Sequence, residues 1–190
     1  MLIDSGWLVD AHRVESPNYD ERPDGCPMDL VVIHSISLPP GEYGGGWIDA
    51  LFTNKLDPKA HPYFEDIAEL RVSCHVLVRR DGSLVQYVPF DKRAWHAGVS
   101  SFEGREACND FAIGIELEGC DDDSFEDIQY QSLGELLASL LQTYPGLSVE
   151  RITGHSDIAP GRKTDPGPHF SWTELRSCIG KSLSTSDNAG

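Results

Sequence analysis

FAIGIELEG, residues Phe111–Gly119, alternates along its length. Ile113, Ile115 and Leu117 fall on one face, and Ala112, Gly114, Glu116 and Glu118 fall on the other. The pattern predicts a strand with one face on a core and its carboxylates on the less crowded side. Working outward, LVVIHSIS (Leu30–Ser37) is a short β-branched run that reads as a buried central strand with His34 inside it. CHVLVRR and SLVQYVP flank the turn signal Asp81-Gly82 and predict a β-hairpin. WIDALFTN predicts about two helical turns, ended by Asp57-Pro58. Ser124 and Asp127 have capping-box spacing, and Leu133, Leu136, Leu137, Leu140, Leu141 and Tyr144 recur at helical intervals after Ile128. RITGH predicts a short strand and WTELRSCI a last helix. Strands interleaved with helices, including one hairpin, predict an α/β (α+β) fold: a mixed sheet with helices packed on it.

The 190 residues suit one domain, expected over 1–181, with a polar tail at 182–190 that has no means of packing. Hydrophobic residues make up 39%, and no apolar run approaches the roughly 20 residues of a membrane span, so a soluble protein is expected. MLIDSGWLVDAHR lacks the basic and apolar regions of a secretory signal, which points to the cytoplasm. Five cysteines, an odd number without a C-x-x-C pair, predict reduced thiols. A net charge of −16 argues against a nucleic-acid partner, because phosphate binding rests on clustered cations. Nothing in the chain calls for an obligate oligomer, and a monomer is expected.

GHSDIAPGRKTDPGP, Gly154–Pro168, concentrates His, Asp, Arg, Lys and Pro. Proline and glycine there exclude a continuous helix or strand and predict a shaped loop. A lone His34 in an apolar strand is more often a core histidine than a ligand. His155 and Asp165 change that balance, because two imidazoles and one carboxylate are a donor set of catalytic zinc, with the fourth position left open. Lys163 is a compact cation two residues from Asp165, suited to stabilising an oxyanion, and Glu116 is a candidate to move a proton. The alternation leaves Glu116 and Glu118 equal, and either could be a solvated carboxylate on an edge strand. Trp95 and His96, in RAWHAG, suit the wall of a sugar or peptide site, although a tryptophan more often covers the core. His75 and His169 read as structural.

VVIHSIS, HPYF, SCHVLVRRDGSLVQYVPFDKRAWHAG, CNDFAIGIELEG and TGHSDIAPGRKTDPGP, in unbroken order from about Trp7 to about Phe170, resemble the zinc N-acetylmuramoyl-L-alanine amidases. Within that family they look most like the cytoplasmic branch acting on 1,6-anhydro-muropeptides in peptidoglycan recycling. The resemblance implies the mixed sheet and flanking helices shared with phage lysozyme-type amidases and peptidoglycan recognition proteins. It implies Zn2+ held by His34, His155 and Asp165, catalysis by Glu116 and Lys163, and a small muropeptide substrate. It selects Glu116 over Glu118 and Asp165 over Asp157. Tyr63, Arg71, Trp95, His96, Ser35 and Arg162 match the substrate groove. The chain departs from the family at Ser35, where Asn is common, and at Ala107, where Arg is common and Arg105 is the alternative cation. The resemblance further implies an influence on β-lactamase induction. A muropeptide sensor without catalysis is the competing reading; such binders typically lack a zinc ligand, and this chain keeps all three.

Overall fold

The computed structural model describes residues 1–187. Six strands make the central sheet: β1 His12–Arg13, β2 Leu30–Ile36, β3 Val76–Val78, β4 Leu84–Gln86, β5 Ala112–Glu118 and β6 Ile152–Gly154. Their order across the sheet is β6-β2-β5-β3-β4-β1. β5 runs parallel to both β2 and β3, and β6 runs parallel to β2. The β3–β4 hairpin is antiparallel, so the sheet is mixed, as its alternating segments predict. The helices are α1 Trp47–Phe52, α2 Asp127–Thr143, the single turn α3 His155–Ile158, and α4 Trp172–Asp187.

The alternation in β2 and β5 separates two layers. Val31, Ile33, Ile113, Ile115 and Leu117 form the main core with Leu133, Leu136, Leu137 and Leu140 of α2 and Leu175 and Ile179 of α4. The other face carries Leu30, Val32 and Ala112, packed with Ala97, Phe111 and Ile158, and leads at its carboxyl end to His34 and Glu116. In open sheets of parallel strands, ligands bind beyond the carboxyl ends of the strands. β2, β5 and β6 all end there. Leu136 is fully buried in the main core, and truncating such a leucine costs about 2–5 kcal/mol. Leu136→Ala is therefore expected to lower Tm by roughly 4–20 °C in a thermal melt, with the site geometry untouched.

Several local expectations are corrected. The capping interaction of α2 sits two residues later than Ser124–Asp127: the Glu126 backbone N–H donates to Gln129 Oε1 at 3.0 Å. The Ser124 carbonyl instead accepts from Arg80 Nη1 at 2.9 Å, which holds that residue outside the helix. Ile128 is exposed, off the core face of α2. The segment read as pure loop contains α3, a single turn from His155 to Ile158 that Pro160 follows. β5 is an interior strand, and Glu118 is a buried carboxylate with neither an edge nor solvent around it. It accepts the backbone N–H groups of Gly44 at 2.7 Å and Arg80 at 3.1 Å, anchoring the glycine-rich loop before α1. At the C-terminus, α4 continues through Asp187 and Leu183 packs against the main core. Six residues of the expected unpacked tail thus belong to a helix, and residues 188–190 lie outside the described residues. All five cysteines are free thiols, three of them buried.

Candidate active site

β2 and β5 lie in parallel register with His34 opposite Glu116, so the two side chains leave the same face side by side. β6 delivers His155 immediately after Gly154, and the Ser156 backbone N–H donates to the Asp165 carbonyl at 2.9 Å, folding the loop back. His34 Nδ1, His155 Nδ1 and Asp165 Oδ2 then form a triangle with sides of 2.9, 3.0 and 3.2 Å. Three electron-pair donors this close repel unless a proton or a cation stands among them. Zinc–ligand bonds of about 2.0–2.1 Å in a tetrahedron put neighbouring donors roughly 3.3 Å apart, near the observed spacing. The donor set and its geometry fit zinc. Among the described residues this is the one group of three such side chains that could hold a metal ion.

The other ring nitrogens favour the same assignment. His155 Nε2 lies 3.1 Å from the Ala97 carbonyl, which can only accept, so the proton belongs on Nε2 and Nδ1 keeps its lone pair. His34 Nε2 lies 2.9 Å from His96 Nδ1. Burial lowers the pKa of His34 to about 4, against the pull of Asp165, and keeps the ring neutral at pH 7. Burial also raises Asp165, but its hydrogen bonds with the two imidazoles outweigh that and hold the carboxyl below its usual range. Asp157 is occupied elsewhere: its Oδ2 accepts from the Gly154 N–H and the Thr153 hydroxyl, both at 2.9 Å, tying down the start of α3.

Glu116 Oε2 is buried without a hydrogen-bond partner among the described residues. Burial, and then the Asp165 carboxylate, push the Glu116 carboxyl well above the usual range, while Lys163 pulls it back. A buried polar atom left open in this way marks a place for water, an ion or a reacting group. Lys163 is exposed at the rim. Together with His34, His155 and Asp165, these two residues line a cleft of about 620 Å³, the size of a small-molecule site. Ser35, Tyr63, Trp95, His96 and Arg162 line the same cleft.

The family model for N-acetylmuramoyl-L-alanine amidases matches residues 24–168. The chain belongs to the N-acetylmuramoyl-L-alanine amidase family. This amidase is 61% identical over 181 residues to the 1,6-anhydro-N-acetylmuramyl-L-alanine amidase AmpD of Escherichia coli K12, covering 95% of this chain and 98% of that one. A crystal structure of a selenomethionine AmpD derivative superposes with a TM-score of 0.92 at 61% identity, covering 94% of the amidase and 99% of its counterpart. The Escherichia coli amidase AmiD, solved with anhydro-N-acetylmuramic acid-L-Ala-D-γ-Glu-L-Lys, gives a TM-score of 0.58 at 29% identity, covering 83% of this chain and 60% of that one.

The walls of the amidase cleft are braced from below. Trp95 Nε1 donates to Asp20 Oδ1 at 3.2 Å, and Arg93 pairs with both Asp20 and Asp110. Arg162 Nη2 donates to the carbonyls of Ala97 at 2.7 Å and Val99 at 2.6 Å, so it fixes the loop after Trp95. Arg71 is exposed and pairs with Glu69 at 3.6 Å; it does not line the cleft, whereas Leu70 and Val72 do. Arg105, the alternative to the cation missing at Ala107, is engaged within the fold. Its guanidinium pairs with Asp29 at 2.7 Å and stacks 3.7 Å above the Phe111 ring, away from the cleft lining. Asn109 lies within the CNDFAIGIELEG motif, and its role is visible only in the fold. Its Oδ1 accepts the backbone N–H groups of His96 at 3.1 Å and Ala97 at 2.8 Å, fixing the segment that carries His96.

Proposed function

We propose that the chain hydrolyses the amide between the lactyl carbonyl of 1,6-anhydro-N-acetylmuramic acid and the L-alanine of a stem peptide, using zinc held by His34, His155 and Asp165. The observation that carries this reading is the pairing of an open metal-type triad with a neighbouring carboxylate whose buried Oε2 has no partner. The relatives' printed activity and the muropeptide seated on AmiD support the same substrate.

His34, His155 and Asp165 would hold the zinc, which when bound would supply Lewis-acid chemistry to the hydrolysis. Glu116 takes the proton from the attacking water and returns it to the leaving amine nitrogen, so one carboxyl acts first as base and then as acid. Lys163 Nζ, at the rim, neutralises the charge that develops on the carbonyl oxygen. Trp95 and Tyr63 offer apolar faces to the sugar, and His96, Ser35 and Arg162 line its approach.

A single amidase domain working as a monomer in the cytoplasm suffices for this reaction; among the described residues no helix is long and apolar enough to cross a membrane. Loss of the activity is expected to raise β-lactamase expression in bacteria that sense these fragments. Mass spectrometry of the products checks the central claim. Anhydro-muropeptide is expected to yield the free sugar and the intact stem peptide, with much slower release from intact peptidoglycan. Cleavage at another bond, or no cleavage, would refute it.

A further inference from the structure

His34 engages both ring nitrogens, Nδ1 toward His155 and Asp165 and Nε2 toward His96. A neutral imidazole has one N–H, so its placement decides whether His34 can offer an electron pair to a metal. Metal-bound imidazoles normally donate the other N–H to a carboxylate, a carbonyl or water. Here the group facing that nitrogen is a second imidazole: His96 Nδ1 stands 2.9 Å from His34 Nε2, with the rings nearly perpendicular at 83°. In the tautomer that leaves His34 Nδ1 free, the proton sits on Nε2 and His96 Nδ1 accepts it. The His96 proton is then on Nε2, which is buried without a partner among the described residues.

Two features hold the His96 ring in place. The Asn109 side chain accepts the His96 backbone N–H, and Gly114 leaves the space that the ring fills. A Cβ built on Gly114 would lie 2.3 Å from His96 Cγ and 2.5 Å from its Nδ1, closer than any real contact allows. Gly114 sits within β5 and opposite Val32, where ordinary strand backbone makes no demand for glycine. Its lack of a side chain is explained by the ring above it.

We propose that His96 is the positioning residue for His34, fixing the tautomer that turns Nδ1 toward the metal, and that Gly114 is glycine to admit the His96 ring. This rests on the zinc reading above and adds to it a second layer that the sequence motifs do not assign.

Zinc affinity, measured by competition with a chromophoric chelator, and the visible spectrum of the Co2+-loaded chain test it independently of turnover. His96→Phe keeps a ring but removes the acceptor, and Gly114→Ala displaces the ring. Both are expected to bind Zn2+ about 10–100-fold more weakly and to alter the Co2+ spectrum. His96→Asn returns an acceptor oxygen near the position of Nδ1 and is expected to restore affinity to within about threefold of wild type. Thermal melts of the metal-free variants separate lost positioning from lost folding. Wild-type affinity in a folded His96→Phe, or an Asn variant as weak as the Phe variant, would overturn the proposal. So would a His96→Phe effect confined to KM, which would make His96 a substrate contact only. Failure of the wild-type chain itself to bind Zn2+ would overturn the zinc reading, and with it this role.

Discussion

Asp165→Ala is expected to abolish stoichiometric zinc binding and to lower kcat/KM by at least about a thousandfold. Asp165 is the one anionic corner of the triad, with its Oδ2 3.0 and 3.2 Å from the two imidazole nitrogens. Its side chain is only 16% exposed, so water has little room to replace the carboxylate in the same geometry. Lewis-acid stabilisation is worth several kcal/mol, and each 1.36 kcal/mol is tenfold in rate, which sets the size of the loss. Treating the wild-type chain with a chelator should reproduce the defect. Returning Zn2+ should restore the wild type and leave the variant inactive. Metal analysis beside a turnover assay checks both halves, and full activity in a metal-free wild-type preparation would sink the zinc mechanism.

Glu116→Gln is expected to keep about one zinc per chain and to lose about 10²–10⁴-fold in kcat, the usual contribution of a positioned acid–base group. The amide matches the carboxylate in shape and leaves the strand register with His34 intact. What it cannot do is accept the water's proton. KM should change little, because the lost interaction forms only as the bond breaks. Glu118→Gln provides the contrast. Glu118 holds the backbone of Gly44 and Arg80 and lies 3.7 Å from Arg79, so its substitution should lower Tm and loosen the loop before α1 while kcat falls far less. Equal losses of kcat in the two variants would remove the distinction between them.

That distinction shows where the sequence stops being sufficient. Alternation placed Glu116 and Glu118 on one face of one strand and could go no further, because period-two geometry treats both alike. Their difference comes from neighbours: Glu116 opposes His34 across the β2–β5 pair, while Glu118 lies two positions on, under the glycine-rich loop. The same reasoning separates Asp165 from Asp157. Both follow His155 closely, yet the Ser156–Asp165 backbone contact folds one onto the imidazoles, and α3 consumes the other at its own first turn. The displaced cap of α2 has a similar cause, since a contact from Arg80 removes Ser124 from a role its spacing suited.

The amino-acid sequence by itself determined the strands, the hairpin, the long helix and the residue types of the triad. β-branched alternation, turn chemistry and helical periodicity are local properties, written within a few residues of one another. Only the tertiary structure decided which of those residues meet. His34 and His155 are 121 positions apart and become neighbours because β6 pairs with β2. The dual contact of His34, the ring of His96 beneath it, and the need for glycine at 114 likewise exist only once β5 and the Trp95–Ala97 segment are packed together. Close packing admits one side chain to each volume, and no pattern along the chain records which one takes it.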